Sequence, residues 1–70
     1  MNLRIYEATI SHREGGSFDF VVLADNKEHA KRIVYGIKNS MGYTRVNKLK
    51  FIAMNDGSVY ERFDNIAGAY

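Results

Sequence analysis

Between Asp25 and Asn39 the apolar residues Ala30, Ile33, Val34 and Ile37 recur at the i, i+3, i+4, i+7 spacing of one helical face. That spacing predicts a helix with a single buried stripe. Asp25 stands where an N-cap belongs, and Glu28 three positions later completes a capping box of the Asp-x-x-Glu kind. Gly36 weakens the interior by about 1 kcal/mol relative to Ala, and Gly42 marks the end. At about 100° per residue, Lys27, Lys31 and Lys38 fall together on one flank of the stripe. Arg32 lies on the far side and Tyr35 on the outward side.

The flanking segments read as strands. Leu3 to Ser11 is partly β-branched and aromatic without helical spacing, and Phe18 to Leu23 follows a turn whose paired glycines, Gly15 and Gly16, supply positive φ. In the second strand Phe18, Phe20 and Val22 alternate with Asp19, Val21 and Leu23, so both faces are partly apolar and the buried one stays open. After the helix, Asn55-Asp56-Gly57 fits a hairpin loop with Gly57 in the left-handed position. That loop pairs Ala53 with Val59, Phe51 with Glu61 and Leu49 with Phe63. One face then holds Leu49, Phe51, Ala53, Val59 and Phe63, the other Lys48, Lys50, Ile52, Tyr60 and Arg62. The tail from Asp64 to Tyr70 is expected to fray. The expected architecture is a single α+β domain over residues 1–70: two-layer ββαββ, an antiparallel four-stranded sheet with one helix packed on one face.

Composition narrows the function classes. Seventy residues hold one core, and 46% apolar content is that of a globular chain. Cysteine is absent, so disulfides and thiolate metal sites are excluded. No apolar run or leader pattern points to a membrane or to secretion, and the expectation is a cytoplasmic protein. The net charge of +2 is too weak for an avid non-specific nucleic-acid binder and has the wrong sign for a DNA mimic. Electrostatic function must therefore come from local clusters.

Reaction chemistry is not legible. His12 and His29 have no neighbour at metal-ligand spacing and read as solvated. No serine sits in a nucleophile elbow, no carboxylate pair stands out, and no glycine loop opens the helix as a phosphate cradle. The expectation is a non-enzyme with no catalytic residue, metal or cofactor. Two cationic surfaces remain: the helix flank of Lys27, Lys31 and Lys38, and the sheet face of Lys48, Lys50, Tyr60 and Arg62. Such cations neutralise phosphates and carboxylates, although lysines on a strand also guard an edge against aggregation. Phe51 and Phe63 read as core, whereas Tyr6, Tyr35, Tyr43 and Tyr60 read as exposed anchors.

The path from Ile10-Ser11-His12-Arg13-Glu14-Gly15 into a strand, then Ala30-Lys31-Arg32-Ile33 on the helix, then a basic strand, resembles the small phage-encoded type I-F anti-CRISPR proteins. The cadence from Phe18 to Val34 and on to Gly42-Tyr43-Thr44-Arg45-Val46 also resembles the small RNA-polymerase inhibitor of lytic coliphages. The first resemblance implies a phage inhibitor in the host cytoplasm. Its basic residues, Lys31 and Arg32 among them, would occupy the nucleic-acid path of a CRISPR surveillance (Cas) complex. The second implies a protein contact through Arg45. The expected contact set is Lys27, Lys31, Arg32, Tyr35, Lys38, Arg45, Lys48, Lys50, Tyr60 and Arg62. An inhibitor of another host enzyme and a small nucleic-acid-binding module are the alternatives, and a homodimer through free strand edges stays open.

Overall fold

The computed structural model describes residues 3–54 and 66–67. Strand β1 (Arg4–Ser11), strand β2 (Ser17–Ala24), helix α1 (Lys27–Ser40) and strand β3 (Arg45–Met54) follow in that order. β1 lies between β2 and β3 and pairs antiparallel with both, in the order β2-β1-β3. The β1–β2 turn is closed by the His12 N–H donating to Gly16 O at 3.1 Å, with Gly15 and Gly16 at φ 101° and 90°. Only glycine adopts two successive left-handed conformations at low steric cost.

α1 starts one residue later than expected. Asn26, not Asp25, is the N-cap, and its Oδ1 accepts the His29 N–H at 2.9 Å. His29 therefore occupies the third helical position that the sequence reading gave to Glu28. Its Nδ1 accepts the Asp25 N–H at 3.2 Å, so the histidine takes part in the cap instead of standing free in solvent. The other terminus agrees with expectation. Gly42, at φ 75°, lets the Tyr43 N–H donate to Lys38 O at 2.9 Å and its own N–H donate to Asn39 O at 3.2 Å. That pair of bonds is a Schellman motif, which uses up carbonyls the helix end leaves orphaned. Thr44 N–H then donates to Ser11 O at 3.0 Å and ties the chain to the end of β1.

The apolar stripe of α1 packs on one face of the sheet. Ala30 and Val34 are buried among Tyr6, Ala8, Ile10, Phe20, Val22 and Ala24, with Ile33 and Ile37 at the margin. Each large side chain so buried contributes about 1.5–3 kcal/mol of transfer free energy. A second cluster of Ile5, Val21 and Leu23 occupies the opposite face, packed with Leu3, Ile52, Ala53 and Ile66. β2 is thus buried on both faces from Phe20 to Ala24, which is why alternation along it names no single core face.

The expected four-stranded antiparallel sheet is not what forms. Three strands make the antiparallel sheet, and the residues described after β3, Ile66–Ala67, run parallel to β2 on the side of the sheet away from β3. Ile66 pairs with Val21 and packs on the second apolar cluster. The hairpin pairings of Val59, Glu61 and Phe63 lie outside the described residues.

β3 also departs from strict alternation. Its register against β1 shifts between Ile5 and Tyr6 and again between Thr9 and Ile10, leaving Ile52 and Asn47 as extra residues. An extra residue reverses the facing of everything beyond it. Leu49 consequently packs on the helix side, whereas Ala53, expected beside it, joins Ile52 on the opposite face.

Candidate binding surface

The lysine flank forms as the helical period requires. Lys27, Lys31 and Tyr35 line an open groove of about 240 Å³ whose other wall is the 46–49 run of β3. Tyr35 is 42% exposed, and the Lys38 amine lies 5.6 Å from the centre of its ring. That cation–π contact holds Lys38 in line with the other two. From Lys27 to Lys38 the row spans about 16 Å along the helix axis. Among the described residues none of the three forms an ion pair.

Of the sheet-face cations, Lys48 alone reaches this groove, in the wall opposite Lys27 and Lys31. Lys48 donates to Glu7 Oε1 at 3.2 Å, an exposed pair that offsets its charge. Lys50 lies opposite Glu7 in the ladder and Arg45 opposite Ser11 at the far end of β3; both are exposed. Arg32 is exposed on the side of α1 away from the flank, so it does not join Lys27 and Lys31. Tyr60 and Arg62 lie outside the described residues. Ile52, expected on the same face as Lys48 and Lys50, lies there and packs against the cluster of Ile5, Val21 and Leu23.

Several aromatic expectations are corrected. Tyr6 is only 3% exposed and belongs to the main core, not to an anchor set. Its ring meets Phe51 edge-on at 5.7 Å, and Phe51, expected inside, is 47% exposed because it sits on the outermost described strand on that side. Tyr43 is half-buried and stacks on His12 with ring centres 4.0 Å apart. This stack closes the end of the domain where the helix terminus meets the β1–β2 turn. Val46, Asn47 and Leu49 complete the groove and were not among the expected contacts. Asn47, a residue type depleted in strands, is the extra residue at the register shift beside this wall and was its sequence signal.

Among the described residues no cluster of His, Asp or Glu gathers at metal-ligand geometry, and no buried side-chain polar atom lacks a partner. What the surface offers chemically is a row of primary amines over a partly apolar floor. Compared with protein-family models, curated proteins and solved structures, the chain matches none. No described helix is long and apolar enough to cross a membrane.

Proposed function

We propose that this chain is a non-enzymatic binding domain that docks on an anionic surface of a protein or nucleoprotein partner through the α1 flank. The observation that carries the reading is the row of Lys27, Lys31 and Lys38, with Tyr35 among them, lining or adjoining one open groove without acid partners in the described residues. A helix presents these amines at fixed spacing, so docking orders only side chains and no backbone. Three unpaired cations on one side steer an anionic partner and set its orientation, even in a chain of net charge +2.

The finer form of the proposal follows the resemblance to type I-F anti-CRISPR proteins. The partner is then a CRISPR surveillance complex, and the lysine row takes positions its nucleic acid would otherwise fill. The test is inhibition of target-DNA binding by such a complex, comparing the unaltered chain with a Lys27→Glu, Lys31→Glu, Lys38→Glu variant shown to be folded by circular dichroism. Loss of inhibition by more than about tenfold, some 1.4 kcal/mol, is expected. Equal potency of the folded variant overturns the role of the flank. A transcription assay with RNA polymerase run in parallel reads the other inhibitor class. Tight, steeply salt-dependent binding to free DNA or RNA alone would make the chain a plain nucleic-acid module instead.

A further inference from the structure

α1 does not lie square on the sheet. It begins just past Ala24, the β2 residue that pairs with Arg4, and ends just before Arg45, the β3 residue that pairs with Ser11. Arg4 and Ser11 are the two ends of β1, so the helix crosses from β2 at one end of the domain to β3 at the other. Tyr43 and Val46 pack with the core where it arrives, and Leu49 is still partly buried on that face. Beyond Leu49 the cover runs out. Phe51, held on the helix side by its edge-on contact with Tyr6, is 47% exposed. Met54 pairs with Arg4, next to Ile5 of the opposite face, so alternation turns it to the helix side, where it is 44% exposed. Tyr35, 42% exposed, looks into the same recess from α1.

The recess has two unlike sides. Its floor of Val46, Leu49, Phe51 and Met54 is apolar and runs alongside β1 from Ile10 to Arg4, about 20 Å. Its wall is α1, with Lys27 and Lys31 exposed one turn apart. Lys48 is engaged by Glu7 Oε1 and adds no free charge. An occupant must bring apolar side chains downward and negative charge sideways. It must also satisfy its own backbone, because an apolar floor offers neither donor nor acceptor. A helix does so internally, and it belongs in the layer that α1 already occupies. About 13 helical residues match the 20 Å floor. A flat lipid surface does not reach into a recess beside a helix about 10 Å across. A second copy of α1 is the wrong occupant, since it sets one acid, Glu28, against Lys27, Lys31, Arg32 and Lys38.

We propose that the helix-side face of β3, from Val46 to Met54, together with Lys27 and Lys31 of α1, is the seat for an amphipathic helix of a protein partner. This rests on the reading of the α1 flank as a docking surface and names the partner's chemistry there. The partner helix carries an apolar stripe toward Leu49, Phe51 and Met54 and carboxylates along the flank that faces α1. Burial of the stripe supplies affinity, and the amines choose the helix and its orientation.

The test uses the full-length chain and three helical peptides of about 14 residues, each stapled on its outward side. The first has a Leu stripe flanked by Glu; the second shuffles the same residues around the helix; the third replaces Glu by Lys. Titration followed by amide chemical shifts should show the first peptide binding, with shifts centred on Leu49 to Met54 and Lys27 to Tyr35. The other two should bind at least about tenfold more weakly. Lys27→Gln with Lys31→Gln, and separately Phe51→Ala, should each weaken the first peptide about tenfold, with circular dichroism showing both variants folded. Equal binding of the three peptides overturns the proposal, as does full affinity in the folded lysine variant, or tighter binding of an oligothymidylate of matched charge. No binding of the first peptide also overturns it, whether the chain's own residues fill the seat or the seat takes no helix. Any of these with lysine-dependent inhibition intact leaves the docking flank standing and removes only the helical partner. Equal potency of the triple glutamate variant removes the flank itself.

Discussion

Replacing Asn26 by Ala tests where the helix begins. The substitution removes the acceptor of the 2.9 Å bond from the His29 N–H and leaves that donor without a partner in the first turn of α1. Caps of this kind are worth about 1 kcal/mol. In a domain of this size that corresponds to a fall in Tm of about 4–8 °C. Asp25→Ala is the control. It keeps the backbone N–H that donates to His29 Nδ1 and loses only a half-exposed carboxylate 3.6 Å from that ring. Its cost, chiefly a weakened charge–dipole interaction at the helix start, is about 0.3–0.5 kcal/mol. Asn26→Asp should restore stability, since Asp caps as well as Asn and adds negative charge at the positive end of the helix. The assay is thermal unfolding followed by far-ultraviolet circular dichroism on all three variants. If Asp25→Ala lowers Tm by as much as Asn26→Ala, the cap lies one residue earlier and the reasoning fails.

Gly36 inside α1 and Gly42 just beyond its end should respond in opposite directions. A Cβ at Gly36 meets nothing within 4 Å, so Gly36→Ala is expected to stabilise by about 0.5–1 kcal/mol, whereas Gly42→Ala, at φ 75°, should cost about 1–2 kcal/mol. Denaturant unfolding of the pair measures both, and stabilisation by Gly42→Ala would contradict the Schellman ending. A double-mutant cycle on Glu7 and Lys48 should return a coupling below about 1 kcal/mol that fades in high salt, because both side chains are about half exposed. A larger, salt-insensitive coupling would mean the pair is shielded from solvent.

The helix was legible because its signal is redundant: four apolar residues on one face, lysines on a flank and Gly42 at the end all require the same segment. The choice between Asp25 and Asn26 was not, since both residue types cap and they are adjacent. Strand positions were visible, but what each faced was not. Tyr6 and Phe51 share a face yet exchanged their expected burial, because burial depends on which strand lies inside the described sheet, a tertiary fact no local pattern encodes. The shifts at Asn47 and Ile52 defeated period-2 reasoning for the same cause: an extra residue is defined by its partner strand. For the candidate surface, the helical period alone aligned Lys27, Lys31 and Lys38, whereas the groove exists only because β3 comes to lie alongside α1. Arg32 illustrates the limit of a linear motif, since it neighbours Lys31 in sequence and faces away from it in space.

The double-sided burial of β2 has a consequence for how the hairpin finds its alignment. Sliding β2 by one position against β1 would trade Phe20 and Val22 for Val21 and Leu23, greasy side chains in either case. Hydrophobicity therefore provides little correction against slippage, and alignment falls to the tight Gly15-Gly16 reversal and to the Thr9 hydroxyl, which donates to Asp19 Oδ1 at 2.7 Å across the ladder. A chain with one residue inserted in that reversal would hold two competing alignments of nearly equal merit.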